Sequence, residues 1–309
     1  MADALERIDQ AAEAITLNFV GELETEPAPP TLYHYTNRTG LEGILSSGTL
    51  WLGDIYTMND PSELQHGVSH AVQILRRMAE SGPPETHLFS DQFAALLSQD
   101  GVESVAHCFS CSFTKAGDNL GQWRAYAENG RGFSLEFDGP LLEETYTQHP
   151  DGSPIGNNST FAVAYDDAKL RGMLGEIIEA AIPLISLPRG RGLLSEQNRG
   201  YIRELSVTVA VHSLRCGLFF KHEGYVDERE YRFLQVVPGD QAAPSVKLKP
   251  RSGFRYREFD WKSRGLAALR RVTVGPTAEE GTENSVRLLL SACGFSGVAV
   301  DRSSIPYRG

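Results

Sequence analysis

Apolar positions along the chain recur with two different periods. Leu5, Ile8, Ala12, Ile15 and Phe19 follow helical spacing and predict an amphipathic helix over residues 3–21. Glu22 to Pro30 follows as an acidic, proline-bearing linker. Leu32-Tyr33-His34-Tyr35-Thr36 then reads as a short strand, because aromatic and β-branched residues favour an extended, half-buried backbone. In such a strand Tyr33 and Tyr35 face one way, and His34 and Thr36 the other. His34 is therefore either a packing residue or a ligand contact.

Thr39-Gly40-Leu41-Glu42 fits a capping box ahead of a short helix bearing Leu41, Ile44 and Leu45; Gly48 ends it and Thr49–Leu52 reads as a strand. Asn59-Asp60-Pro61-Ser62-Glu63 predicts a helix start, with Asp60 as the cap and Pro61 as the first helical residue, running to about Met78. A second helix is predicted over 86–98, a strand over 104–113, a helix capped by Asp118 that carries Trp123 and Tyr126, and a strand over 131–137. Leu141–Pro154 reads as a polar loop. Beyond it come a strand at 161–165, helices at 169–184 and 194–219, and a strand at 230–237. Strands near 254–261 and 272–274, a helix from Pro276 to Ala292 and a strand at 298–300 complete the pattern. Helices and strands do not alternate regularly, so the fold class expected is α+β, with a split or bent, mostly antiparallel sheet surrounded by helices. Residues 1–30 are expected to be an N-terminal helix and linker, and 31–309 a single α+β domain with a helical insertion at about 165–220.

Composition narrows this picture. The chain has 309 residues, 41% of them hydrophobic and 22% charged, as in a globular protein with a sizeable core. A net charge of -11 disfavours binding to long nucleic acid, yet leaves room for a local basic pocket. No apolar run is long enough to span a membrane. The N-terminus lacks the basic-then-apolar order of a secretory signal, and four cysteines are too few for a disulfide framework, so a cytoplasmic protein is expected.

Several patterns carry chemistry. Cys108-Phe109-Ser110-Cys111 is a CxxC, but in a strand its sulfurs point to opposite faces and no second pair completes a zinc site, so packing is the favoured reading. His66 and His70 share a helix face without a neighbouring glutamate or third ligand; a solvated polar face is favoured and no metal is expected. GxSxG, P-loop and GxGxxG signatures are absent. In Tyr225–Phe233, Glu228 and Glu230 would share a strand face with Arg232 if the segment is extended. Two readings stay open: a rim ion pair of little energetic weight, or a carboxylate held by its arginine and aimed at a substrate hydroxyl. Trp123 and Tyr126 share a helix face; packing explains Trp123, and Tyr126 offers a ring to a planar ligand.

Taken together, these stretches resemble a bacterial family catalogued as domain of unknown function 2971. The resemblance rests on Tyr33–Thr36, Ile44-Leu45, Asn59–Glu63, Cys108–Ser110, Trp123–Ala127, Glu228–Arg232 and Ser303–Arg308, and runs over roughly residues 31–308. A second similarity is to the NAD-dependent ADP-ribosyltransferases, through an early strand histidine (His34), a middle Ser-x-Ser (Ser110, Ser112) and a late Glu-x-Glu (Glu228, Glu230). It implies an ADP-ribosyltransferase-like sheet and cleavage of the nicotinamide–ribose bond of NAD, with ADP-ribose passed to a protein or nucleic-acid acceptor, as in a toxin or defence effector. By this resemblance Glu230 would bind the nicotinamide-ribose hydroxyl, oriented by Ser110, and favour positive charge developing on the sugar. His34 would bond the adenosine ribose or the nicotinamide amide, Glu228 would sit near the acceptor, and Tyr126, or else Tyr56, would stack on nicotinamide. Glu230, His34 and Glu228 form the expected catalytic set. Tyr35, Thr36, Asn59 and Asp60 are expected to bind substrate, together with Ser110, Ser112, Trp123, Tyr126 and Arg232. The alternatives are a non-catalytic nucleotide-binding or sensing module in the same cleft, and a phosphodiester-acting enzyme in which His34 and Arg232 contact phosphate.

Overall fold

Among the described residues ten strands join into one sheet through a branch at its centre. The structure, a computed structural model, describes residues 2–24, 28–57, 62–97, 106–185, 196–238, 246–249, 253–265 and 268–307. The strands are β1 (Thr31–Thr36), β2 (Thr49–Asp54), β3 (Ala106–Thr114), β4 (Phe133–Asp138), β5 (Asn158–Ala162), β6 (Glu230–Pro238), β7 (Lys247–Leu248), β8 (Arg255–Asp260), β9 (Leu269–Val274) and β10 (Ala299–Arg302). All pairings are antiparallel except β9 with β10. Helices surround this mostly antiparallel, open sheet, so the α+β expectation holds.

β3 is the branch point. Along one edge it pairs with β6 over its whole length, from Ala106 opposite Pro238 to Thr114 opposite Glu230. Its other edge is shared: β2 takes Phe109 and Ser110, and β1 takes Thr114. Between these contacts Cys111, Ser112 and Phe113 have no strand partner on that side among the described residues, so the sheet is split there. The helix Arg38–Ser47, which joins β1 to β2, packs Leu41, Ile44 and Leu45 beneath the diverging strands.

The two faces of the sheet feed separate cores, as a period of two requires. Phe109, Cys111, Phe113, Tyr231 and Phe233 point into one, with Leu32, Leu135, Phe137 and Trp261. Cys108 and Leu234 point into the other, which is built largely by the helices Ala2–Glu24, Ser62–Glu80, Pro84–Leu96, Asp167–Ala181 and Glu196–Leu218. The N-terminal helix belongs to this packing through Ile8, Ala12 and Phe19. Cys108 and Cys111 thus lie in different cores, and burial pushes both thiols up to about 12, so the CxxC is inert packing.

Several local expectations are corrected. Asn37, not Thr39, caps the first short helix, its Oδ1 accepting from the Gly40 N–H at 2.8 Å. Asn119 rather than Asp118 caps Leu120–Tyr126; Asp118 has φ 41° and accepts instead from Trp123 Nε1 at 2.8 Å and from Ser303 and Ser304 near the C-terminus. The segment read as a polar loop after Leu141 begins with a helix, Gly139–Thr147, capped by Asp138 and burying Leu142 and Tyr146. Pro276 opens a turn, and the last helix begins only at Thr282. His70 is not solvated: its side chain is mostly buried with Asp167 3.8 Å away.

Gly132 marks where the end of Leu120–Tyr126 meets β1. A Cβ there would collide with the Thr36 carbonyl and stand 2.9 Å from the Ala127 Cα, both of them backbone that cannot yield. Gly132→Ala is expected to destabilise the fold by about 2 kcal/mol, seen as a lower urea midpoint at unchanged slope.

Candidate functional site

The split in the sheet opens onto a cleft of about 500 Å³, within the range usual for small-molecule sites. β3 forms its floor through residues 110–114. Tyr33, His34 and Tyr35 of β1 border one side with Gln122 and Tyr126, and Trp51, Gly53 and Ile55 border the other with Lys249 and Phe254. Lys221, Glu228 and Glu230 close one end.

His34 sits in the split itself. Its Nδ1 lies 3.1 Å from the Ser112 carbonyl, one of the groups left without a strand partner, and its ring packs at 5.6 Å against Phe113. A carbonyl only accepts, so Nδ1 carries the proton and Nε2 is left as an acceptor. Burial lowers the histidine pKa, opposed by the bond to Ser112, so the ring is neutral at neutral pH. The register sharpens the facing rule. Tyr33 lies opposite Thr114, so Tyr33 and Tyr35 share the face of Ser110 and Ser112, and His34 borders the cleft because the sheet is open beside it.

Four charges meet at the end of β6. Glu230, only 4% exposed, accepts from Ser112 Oγ at 2.6 Å and Arg232 Nε at 2.9 Å on one oxygen, and from Lys221 Nζ at 3.3 Å on the other. Lys221 also donates to Glu228 at 2.6 Å, and Glu228 accepts from the Tyr126 hydroxyl at 2.8 Å. Burial alone would raise the Glu230 carboxyl, but Arg232, Lys221 and the bond from Ser112 outweigh it and hold the pKa at about 2. Tyr126 is pushed up, chiefly by burial and then by the Glu228 charge, so its phenol stays protonated and donates. Two cations face two anions, which is what lets such a group be buried.

The rim reading of Glu230 and Arg232 is therefore overturned. The shared strand face is corrected too: Glu228 ends a 3₁₀ turn, Glu223–Glu228, and Arg229 at φ 45°, ψ 46° turns the chain before β6 begins. Glu228 reaches the cluster through that turn, and its side chain is the more exposed of the two, at 18%. Ser112, not Ser110, bonds Glu230; the buried Ser110 hydroxyl borders the cleft and makes no hydrogen bond among the described residues. Trp123 is fully buried, edge-on to Tyr35 at 4.9 Å, and so supports the cleft wall without facing it. Arg232 does not line the cleft either; behind Glu230 it donates to the Leu218 carbonyl at 2.9 Å. Thr36 lies against Gly40 and does not border the cleft. Tyr56 is buried below β2, in the helical core. Asn59 and Asp60 lie outside the described residues.

Lys221 and Tyr165 are the residues that sequence reasoning missed. Lys221 follows the helix Glu196–Leu218 and is fixed where Ala164 bridges this segment: the Lys221 N–H donates to the Ala164 carbonyl at 2.9 Å, and the Ala164 N–H donates to the Phe219 carbonyl at 2.9 Å. The Tyr165 hydroxyl accepts from the Glu230 N–H at 2.9 Å. Neither belongs to a spacing pattern. The only available signal was the buried acid itself, which required a cation beyond Arg232. Among the described residues no cluster of metal-ligating side chains occurs, and no helix is long and apolar enough to cross a membrane.

Residues 122–233 match the family model described as Protein of unknown function (DUF2971). That span runs from the helix carrying Trp123 and Tyr126 to Phe233 on β6, so it contains Lys221, Glu228 and Glu230 but not β1 or β2. No curated protein and no solved structure matches the chain.

The cluster gives acid stability a definite sign. The folded Glu230 pKa of about 2 lies below the ordinary value of 4.5, so the unfolded chain binds the extra proton between those limits. The stabilisation is present above pH 4.5 and is lost as pH falls toward 2. Urea unfolding from pH 6 to 2 is expected to show this loss. Glu230→Gln should flatten that acid limb while lowering stability at pH 7 by roughly 3–5 kcal/mol, since the buried Arg232 loses its counter-charge and Lys221 keeps only Glu228.

Proposed function

We propose that the cleft binds NAD as a substrate and that the protein is an ADP-ribosyltransferase-like enzyme of the cytoplasm, acting on a protein or nucleic-acid acceptor in a toxin or defence setting. One observation supports this reading above the others: an aromatic-walled cleft of about 500 Å³ is bordered at once by His34, Tyr126, Glu228 and Glu230. An acidic chain that keeps Lys249 beside this cleft has a local means of attracting a pyrophosphate without the broad basic surface that long nucleic acid needs.

Chemically, the reaction breaks the C–N bond between nicotinamide and ribose, and nicotinamide leaves with the electron pair. Positive charge develops on the sugar, where a carboxylate that stays ionised above about pH 2 stabilises it without a proton to lose. Tyr126, half-exposed, offers a ring to the departing nicotinamide. His34 Nε2 accepts from a ribose hydroxyl or the nicotinamide amide. The acceptor then forms a bond to the same sugar carbon, and its proton passes to Glu228, the more accessible carboxylate.

A second reading has its own support. Both oxygens of Glu228 and both of Glu230 already have partners within the protein, which suits a fixed wall in a nucleotide-binding module that does no chemistry. Labelled NAD separates the two. Release of nicotinamide by the intact protein with protein and nucleic-acid acceptors is expected, reduced about 100-fold or more in Glu228→Gln and in Glu230→Gln that remains folded by circular dichroism. NAD binding by calorimetry with no release under any acceptor would establish the binding module instead.

A further inference from the structure

On the β2 side of the cleft lies a set of rings that the carboxylate cluster does not use. Trp51 of β2 lies opposite Glu258 of β8, while Tyr256 lies opposite Gly53. Gly53 has no side chain, so the Tyr256 ring leans diagonally across the sheet onto Trp51, with centroids 4.0 Å apart and planes within 21°. Phe254 continues the row, near-parallel to Tyr256 at 6.3 Å. The backbone bond from Lys249 N–H to the Phe254 carbonyl, at 2.8 Å, closes this end of the β7–β8 hairpin, and Lys249 Nζ stands 5.9 Å from the Trp51 ring centre.

Two features make this more than hairpin packing. Trp51 is 41% exposed and borders the cleft, a costly position for a large ring unless something covers it. Two lysines border the cleft among the described residues: Lys221 lies between the carboxylates at one end, and Lys249 lies over the Trp51 ring at the other. A ring backed on one face by Tyr256, with the Lys249 ammonium over it, puts aromatic surface and positive charge together, as a planar base carrying a phosphate requires.

We infer that Trp51, backed by Tyr256 and Phe254, is a stacking platform for the base of a nucleotide whose phosphate reaches Lys249. This deepens the nucleotide reading of the cleft, and rests on it, by assigning the end remote from Glu230 to the base. It does not require that any bond be cleaved.

The chain's own tryptophans report on it. Trp123 and Trp261 are fully buried, so quenching by a bound base reads Trp51 alone. Titration of the full chain with ADP is expected to quench tryptophan emission saturably, and ribose 5-phosphate is expected to leave it unchanged. By calorimetry Trp51→Ala should weaken ADP binding by about 5- to 150-fold, the range typical of losing one stacked base. Lys249→Ala should weaken ADP more than adenosine. Unchanged melting would show that both variants are folded. The inference is overturned if ADP does not bind, or if Trp51→Ala binds it within twofold of wild type. Nicotinamide release separates this inference from the catalytic one. ADP binding at Trp51 without release leaves the platform standing and removes the enzyme, whereas release with a KM indifferent to Trp51→Ala does the reverse.

Discussion

The unequal treatment of the two edges of β3 is the constraint on which the rest of the site depends. One edge is sealed by β6 from end to end, while β1 and β2 share the other and part between Ser110 and Thr114. Unpaired backbone in a sheet interior costs free energy comparable to a lost hydrogen bond. His34 answers part of that cost by bonding the Ser112 carbonyl, and doing so fixes its tautomer. The same split makes the cleft, and the sealed edge delivers Glu230 and Arg232 to it with the rigidity of a paired strand.

The second constraint is electrostatic. Glu230 would be intolerable at its depth without compensation, and it is met by two cations that arrive from different directions: Arg232 two residues along the strand, and Lys221 from the end of a helix. Lys221 also ties in Glu228, and Glu228 ties in Tyr126 on the far wall. Three separate pieces of chain, the helix Leu120–Tyr126, the turn Glu223–Glu228 and β6, are thereby locked into one end of the cleft. A buried ion network of this kind adds little net stability, but removing one partner strands the others.

Much of this was legible in the residues. The two-residue alternation of Tyr33–Thr36 and of β6, and the opposite facing of Cys108 and Cys111, follow from strand geometry and hold. What was missed has identifiable causes. Leu142 and Tyr146 read as loop because the polar residues between them masked a helical stripe only one turn long. Glu228 was placed on the strand because nothing in Asp-Glu-Arg-Glu announces that Arg229 adopts the left-handed conformation, which β-type neighbours would not suggest. Ser110 and Ser112 sit on one face, and only the register with β6 decides that Ser112 meets Glu230. Lys221 comes from a segment joined to the site by a single bridge and Trp51 from β2, paired with β3 and the distant β8, and no spacing rule connects either to the carboxylates.

A crystal structure of the wild-type protein with an NAD analogue whose nicotinamide–ribose link is an uncleavable carbon–carbon bond is the most direct test. The dinucleotide should lie along the split, with its nicotinamide at Tyr126, its proximal ribose beside Glu228 and Glu230, and its adenine over Trp51. A structure with the analogue elsewhere, or with β1 and β2 closed together on Cys111–Phe113 and no ligand between them, would contradict it.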